Sequence, residues 1–414
     1  MPTLKTVTLG CKVNQYETEY VRQGLVQLGY RDAADDEAPE LCVVNTCTVT
    51  AEGEAKCRKI LRHLAQQYPH MGIIVMGCYA TRAPDEVAAL PGVIEVVTDK
   101  RLLPDLLTRY GLADVPRGIS SFRCRRRAYV KVQDGCRLKC AFCIIPRVRP
   151  VLSSRPAADV LDEIGRLTNN GHREIVLTGI HLGHYGLDAP ADRSRLRLAG
   201  LLAEIVKLPG PFRVRLSSLE AIEARPELIA VMRENPQRVC PHLHLSMQSG
   251  SDAVLSRMRR RWESSRFVER CRQVRKALGN PALTTDVIVG FPGETEDDFQ
   301  ATYRTCETIG FSKIHIFRFS PRQGTPAAEM PDQVQDRVKQ QRAMRLEKLG
   351  RRLRQQYLES LRGCRLQVLV ESPIADKPGM MYGTSGQYVS VEVPGDWRLI
   401  NQLVEVEYMG KSEG

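Results

Sequence analysis

No apolar run in this 414-residue chain reaches the ~18 residues that a membrane span requires, so no spanning helix is expected. The opening stretch Met1–Gly10 lacks a basic segment followed by an apolar one, and no signal peptide is expected. A cytoplasmic address follows, where stable disulfides are disfavoured. There is no internal repeat and no low-complexity segment, and no Ser/His/Asp constellation for nucleophilic chemistry. What is present is ordinary for a folded protein: 43% hydrophobic and 26% charged residues, which excludes wholesale disorder. The length suggests two or three domains, each able to bury a core. Cysteine is the surplus. Thirteen residues, an odd number, point to metal or redox chemistry wherever the thiols cluster.

The net charge of +12 is unevenly placed. Residues 121–150 carry net +8 and residues 335–365 net +7, whereas 1–120 carry −2, 151–334 carry +3 and 366–414 carry −4. Two short stretches thus hold more than the whole excess. Such concentration suits a phosphate backbone; a pair of solvated basic faces is the alternative.

The fold class expected is α/β. Thr6–Leu9, Leu41–Val44 and Ile73–Met76 read as buried parallel strands with helices between them, giving an N-terminal parallel-sheet domain over 1–112. A Pro- and Gly-containing linker covers Tyr110–Ser121. Strands at Tyr129–Val132, Glu174–Leu177, Arg213–Leu216, His242–Leu245, Thr284–Val289 and Lys313–Phe317 suggest an open, partial barrel of six βα units over 122–331. Residues 332–363 read as a long basic amphipathic helix, with capping-box spacing from Asp332 to Gln335 and a stop at Gly363. Its apolar stripe is Val334, Val338, Leu346, Leu349, Leu353, Tyr357 and Leu361. From Cys364 to 414, short β runs at Leu366–Glu371, Gln387–Val393 and Leu403–Tyr408 suggest a small β-barrel.

Six cysteines form two sets. Cys136, Cys140 and Cys143, spaced C-x-x-x-C-x-x-C, follow a strand and Gly135. Three thiolates so close can ligate three irons of a [4Fe–4S] cubane and leave the fourth iron open. Zinc is the alternative, but it wants a fourth protein ligand, for which Cys124 is the nearest candidate. Cys11, Cys47 and Cys78 each close or follow one N-terminal strand. Loops at the carboxyl ends of neighbouring parallel strands converge, so these three can meet in space; three buried thiols are the other reading. Cys42, Cys57, Cys240, Cys271, Cys306 and Cys364 read as structural or incidental.

The run Gly135–Cys136–Arg137–Leu138–Lys139–Cys140–Ala141–Phe142–Cys143–Ile144–Ile145–Pro146 resembles the cluster motif of radical S-adenosylmethionine enzymes. The aromatic residue before the third cysteine, then Ile-Ile-Pro and Arg149, is similar to the methylthiotransferase family, except that Pro150 stands where that family usually has Gly. The resemblance covers nearly the whole chain. It includes the segments around Cys11, Cys47 and Cys78, the loop Thr178–Gly183, the run Gln248–Ser251, the run Asp286–Thr295 and the run Phe319–Ala327. The tail resembles the family's TRAM module, a small β-barrel associated with RNA, though it is short and net acidic here.

The resemblance implies two [4Fe–4S] clusters, one on Cys11, Cys47 and Cys78 and the other on Cys136, Cys140 and Cys143. It also implies bound S-adenosyl-L-methionine, with contacts near Gly179, Gln248 and Asp286; Asp286 is equally readable as a structural acid at a strand end. An electron from the second triad's cluster, supplied by a carrier such as flavodoxin or ferredoxin, would generate a 5′-deoxyadenosyl radical, and the cofactor would also supply the methyl group. The sulfur donor is not implied. The segment Gly10–Cys11–Lys12–Val13–Asn14–Gln15–Tyr16–Glu17 is most similar to the branch acting on N6-threonylcarbamoyladenosine beside the tRNA anticodon. The branches acting on N6-isopentenyladenosine or on a ribosomal-protein aspartate are the alternatives. A non-catalytic iron–sulfur RNA-binding protein is the alternative of another class. Arg125, Arg126 and Arg127, with Arg351, Arg352 and Arg354, are the expected contacts to tRNA phosphates, and affinity would then fall steeply with salt.

Overall fold

A computed structural model describes residues 1–123, 126–188 and 196–410. The first sheet is built from β1 (Thr3–Thr8), β2 (Arg31–Asp32), β3 (Leu41–Thr46), β4 (Gly72–Gly77) and β5 (Val93–Val96). All are parallel, in the order β2-β1-β3-β4-β5. Helices Lys12–Gln27 and Ala51–Gln67 cover the sheet, so its central strand β3 is buried at all six positions and needs no polar alternation. The three expected strands are present. The two missed strands are edges: β2 has only two residues and β5 has no fully buried one, so neither carries an apolar run.

The second unit contains β6 (Arg127–Asp134), β7 (Ser153–Ser154), β8 (Glu174–Gly179), β9 (Arg213–Leu216), β10 (Ser218–Leu219), β11 (His242–Leu245), β12 (Ala282–Val289) and β13 (Lys313–Arg318). They form sheets ordered β7-β6-β8-β9 and β10-β11-β12-β13. A parallel bridge from Val214 to Val239 joins the two, and β10 resumes β9 after Ser217. Six parallel strands therefore run in sequence order around an arc that stays open between β13 and β6, which is the partial barrel expected.

Beyond it lies the helix Asp336–Ser360. It is shorter than the expected 332–363. Asp332 has φ 57° and stands outside the helix, and Gln335 is the residue before its first turn, so the expected capping box does not form. The buried stripe is Ala343, Leu346, Leu349, Leu353 and Tyr357, joined by Lys339 and Arg342, whereas Val334 and Val338 are only half-buried. Arg342 is tolerated inside because its Nη1 donates to Glu294 Oε1 at 2.7 Å. The chain ends in β14 (Arg365–Pro373), β15 (Met380–Ser385), β16 (Ser390–Pro394) and β17 (Leu403–Glu407), one antiparallel sheet ordered β16-β15-β14-β17. Among the described residues it is a half-barrel, not a closed barrel, because β16 and β17 do not pair.

One apolar core runs without a break from the first sheet (Leu4, Val43, Met76) through Tyr16 and Tyr20 into the barrel (Val130, Ile175, Leu283). The expected linker Tyr110–Ser121 is tied down rather than loose. Ile119 N–H donates to Glu163 Oε1 at 2.8 Å, and just beyond it Phe122 N–H donates to His172 Nε2 at 3.0 Å.

The C-terminal sheet docks through buried charge. Glu174, fully buried, accepts from Arg213 Nε at 2.7 Å and from Arg215 Nε at 2.8 Å. The remaining guanidinium donors reach main-chain carbonyls of the last sheet: Gln367 at 2.6 Å, Thr384 at 2.8 Å, Ser385 at 3.1 Å and Gly386 at 2.7 Å. Tyr388 lies over Arg215 at 3.7 Å. Burial alone would raise the Glu174 carboxyl, but Arg215 and Arg213 hold it well below the ordinary carboxylate range. Its stabilisation is therefore present above the unfolded-state carboxylate pKa and is lost only as pH falls through the depressed folded value. Glu174→Gln leaves two buried cations short of a counter-charge and is expected to cost about 3–5 kcal/mol in denaturant unfolding at neutral pH. The cost should shrink when the pair is compared in strong acid.

Candidate active site

Three strand ends are stitched together at the carboxyl edge of the first sheet. Asn14 Nδ2 donates to Leu9 O at 2.9 Å and to Thr46 O at 3.0 Å. Asn45 Nδ2 donates to Asn14 O at 2.9 Å, and Thr46 Oγ1 to Met76 O at 2.7 Å. These bonds tie β1, β3 and β4 to one another and to the first helix, and so bring Cys11, Cys47 and Cys78 to one place. Gly77 makes the approach possible: its φ is +100°, and a Cβ there would sit 2.4 Å from Asn45 Oδ1 and from Thr46 O. Gly135, before the other triad, has φ +77°, and its Cβ would fall 1.9 Å from Val151 O. In both places the chain must turn where a neighbouring backbone leaves no room for a side chain.

The second triad sits in the loop after β6. Cys143 N–H donates to Cys140 O at 3.1 Å and Cys136 N–H to Arg149 O at 3.2 Å, which folds the loop back on itself. The chain just beyond it, Ile144–Arg149, joins the two triads. Ile144, Ile145 and Val148 pack on Cys78, and Arg149 Nε donates to Cys78 Sγ at 3.4 Å. Pro150 is exposed, directly after the Arg149 carbonyl that accepts from Cys136 N–H.

Arg149 is the pivot, with its side chain 2% exposed. It donates to Glu17 at 2.7 and 2.8 Å, to Asp134 at 2.9 Å and to Asn14 Oδ1 at 3.2 Å. Lys131 completes the cluster, 2.8 Å from Glu17 and 2.7 Å from Asp134. Each carboxylate therefore meets two cations. Against the burial that would raise them, Arg149 and Lys131 lower the pKa of Glu17, and Lys131 and Arg149 lower that of Asp134. A second cross-link has the same form: Arg322 donates to Thr48 Oγ1 at 2.6 Å and pairs with Glu54, which Arg82 also holds. Asn14, Glu17, Asn45, Thr46, Lys131, Arg149 and Arg322 fell in the sequence runs singled out, but their connecting role was not legible there.

Each triad has a cation at its sulfurs. Besides Arg149 at Cys78, Arg260 Nη1 donates to Cys140 Sγ at 3.4 Å, and His181 Nδ1 lies 3.5 Å from Cys136 Sγ. His181 Nε2 is 2.5 Å from Glu223 Oε1. Burial would lower His181, but Cys136 and Glu223 raise it to about 9; His184, stacked 3.6 Å away, is pushed down to about 4 by burial and the His181 charge. Burial raises the thiols of Cys47 and Cys140 and pushes Cys143 up to about 12. Their ionised forms thus call for a cationic centre between them.

The spacing says which kind. Among the described residues only His181, His184 and Glu223 form a trio of such side chains with ligand atoms all within 4.8 Å of one another. Neither cysteine triad is that tight. Thiolates on one tetrahedral zinc lie about 3.8 Å apart, given Zn–S bonds of about 2.3 Å. A cubane puts each sulfur on its own iron and spreads them wider, so the spacing speaks against a single zinc ion at either triad. Cys124, the zinc alternative's fourth ligand, lies outside the described residues. Cys42, Cys57, Cys240, Cys271 and Cys306 are buried, Cys57 with its Sγ donating to Cys47 O at 3.6 Å, and Cys364 is exposed.

A cavity of about 1070 Å³ fills the barrel lumen. Its walls include Gly10, Cys11, Asp286, Arg351 and Arg354, but not Gly179 or Gln248. Asp286 Oδ2 is 3.2 Å from His244 Nε2. Gly179 ends β8, where a Cβ would press on Gln133 Oε1 at 2.9 Å; that oxygen accepts from His181 N–H at 2.7 Å. Gln248 has φ 69° and bridges β12 through its backbone, donating to Asp286 O at 2.8 Å.

Four of the nine cations in the basic stretch 121–150 are taken up by carboxylates of the described residues. Arg123 pairs with Asp32, Arg127 with Glu371 at 2.5 Å, and Lys131 and Arg149 with Glu17 and Asp134. Arg127 is therefore not a free phosphate contact, and Arg352 pairs with Glu307. Arg125 lies outside the described residues, whereas Arg126 is exposed. Arg351 and Arg354 stand at the lumen.

The barrel, the open cysteine loop and the lumen together define a radical S-adenosylmethionine enzyme. The Radical SAM superfamily signature matches residues 130–306, and Uncharacterized protein family UPF0004 matches residues 3–99. The chain is 37% identical to the threonylcarbamoyladenosine tRNA methylthiotransferase MtaB of Bacillus subtilis, over 99% of this chain and 94% of that protein. It is 37% identical to the protein of the same name from Thermotoga maritima, over 96% and 92%. It is 35% identical to the tRNA-2-methylthio-N(6)-dimethylallyladenosine synthase of Corynebacterium diphtheriae, over 88% and 75%. Among solved structures, the radical S-adenosylmethionine methyltransferase TsrM of Kitasatospora setae shares the fold, with TM-score 0.57 and 15% identity over 79% of this chain and 75% of that one. The chain belongs to the radical S-adenosylmethionine methylthiotransferases. No helix among the described residues is long and apolar enough to cross a membrane.

Proposed function

We propose that this enzyme adds a methylthio group to C2 of N6-threonylcarbamoyladenosine next to the anticodon of tRNA, in the cytoplasm. The observation that carries this reading is the joining of two cysteine triads by Ile144–Arg149, with Cys11 opening onto a lumen large enough for a nucleoside. The near full-length likeness to two proteins named for that substrate supports the choice of branch.

In this reading Cys136, Cys140 and Cys143 hold one [4Fe–4S] cluster and Cys11, Cys47 and Cys78 a second. Residues 1–112 form the domain of the latter, 122–331 the radical domain, 332–363 a basic connecting helix and 364–414 the TRAM-like module. Gly179, Gln248 and Asp286 are the positions for S-adenosyl-L-methionine contacts. The bound groups supply homolytic chemistry able to activate an aromatic C–H bond that acid–base catalysis leaves inert. The chain supplies placement. Asn14, Asn45 and Thr46 hold three thiols at one point, Arg149 fixes that point relative to the barrel, and Arg260 and His181 offset negative charge at the other triad. Arg137, Lys139 and Arg147 are exposed around the loop and suit an acidic electron carrier such as flavodoxin or ferredoxin.

Nucleoside mass spectrometry of tRNA from cells lacking the protein is expected to show loss of 2-methylthio-N6-threonylcarbamoyladenosine with its unthiolated precursor intact. Loss of the isopentenyl counterpart instead would sink the branch. Reconstituted protein should hold about eight irons per chain. The Cys136→Ala, Cys140→Ala, Cys143→Ala triple variant should keep about half of them, since the other triad is built from separate strands. Neutralising Arg351 should weaken tRNA binding and flatten the slope of log affinity against log salt by about 1, while Arg352→Ala, whose charge is paired with Glu307, changes it little.

A further inference from the structure

The lumen is polar in a way that the chemistry at C2 does not require. Its walls carry Lys12, Lys313, Arg351 and Arg354 against only two carboxylates, Asp286 and Glu347. Asp286 is already engaged by His244. Lys12 follows Cys11 directly, at the start of the first helix, and makes no ion pair with a described residue. It lines the cavity with His242 and His315, and its charge, after burial and nearer cations, is among those that depress both imidazoles. Two further wall residues, Ser217 and His242, each carry a buried polar atom without a hydrogen-bond partner, Oγ and Nδ1. Orphaned polar atoms at a cavity wall mark where a polar ligand is expected, because an apolar one would leave their desolvation uncompensated.

An N6-isopentenyl group offers nothing to these atoms. An N6-threonylcarbamoyl group carries a urea, a hydroxyl and a carboxylate. We propose that the lumen is the recognition pocket for the anionic N6 substituent, with Lys12 as the counter-ion of its carboxylate and Ser217 and His242 as partners for its neutral polar groups. This rests on the substrate reading above and deepens it. The residue after the first cysteine belongs to the run that separates the branches by sequence. It now gains a physical role, since an uncharged substituent would leave this half-buried cation without the counter-charge that a carboxylate supplies. Backbone phosphate is the other anion Lys12 could meet, and esterifying the carboxylate separates the two.

The test uses the full-length reconstituted protein and three anticodon stem-loop RNAs. One bears N6-threonylcarbamoyladenosine, one its methyl ester and one N6-isopentenyladenosine. Wild-type protein is expected to bind the acid about tenfold or more tightly than the ester. Lys12→Met should bring that ratio within about twofold, and Lys12→Arg should preserve it, with iron content reporting that the neighbouring cysteines still load. A Lys12→Met variant that keeps the acid-over-ester ratio, or weakens both RNAs equally as loss of a phosphate contact would, overturns the proposal while the substrate assignment stands. Wild-type preference for the isopentenyl stem-loop overturns the substrate assignment and the proposal with it.

Discussion

The structure depends on one buried cation. Arg149 lies where the first sheet, the barrel and both cysteine triads meet, and every donor on its guanidinium is spoken for by Glu17, Asp134, Asn14 or the Cys78 sulfur. Placing a guanidinium there is costly unless its geometry is saturated, and the planar fork of arginine can saturate it where a lysine could not. With Glu17 on the first helix and Asp134 at the end of β6, the ion cluster fixes how the two sheets face each other. Arg322 and Glu54 repeat the device on the other flank. The apolar core that runs between the sheets supplies the affinity; the ion pairs supply the register.

That division explains why both triads lie at chain turns. Clusters held by three cysteines demand sulfurs set to within a fraction of an ångström, and loops alone do not hold such precision. Here each turn is anchored on something rigid: strand ends cross-bonded by asparagine and threonine for one triad, and a loop folded back onto the Arg149 carbonyl for the other. The cations at Cys78, Cys136 and Cys140 also offset the charge that three thiolates bring into a half-buried place.

The strands and the two cysteine sets were legible in the sequence because both leave periodic or spaced signals. The core of β3 reads as the apolar run Leu41–Val44, and Cys136, Cys140 and Cys143 sit within eight residues. The edges β2 and β5 were not legible, since an edge strand needs no apolar run. The basic stretch around residue 130 misled for a plain reason: charge counted along a chain is blind to partners far away in sequence. Arg127 meets Glu371, and Arg149 meets Glu17, across 244 and 132 residues. The lumen was illegible for the same reason, as its walls come from Lys12, His242 and Arg354.

The docking of the last sheet has its own consequence. Arg213 and Arg215 grip main-chain carbonyls of Gln367, Thr384, Ser385 and Gly386, more than they do the side chains of Gln367 and Tyr388. Every residue type presents the same carbonyl. The terminal sheet is therefore free to drift in composition, even to turn acidic, without losing its seat on the barrel. Its outward surface can change while the catalytic body stays as it is.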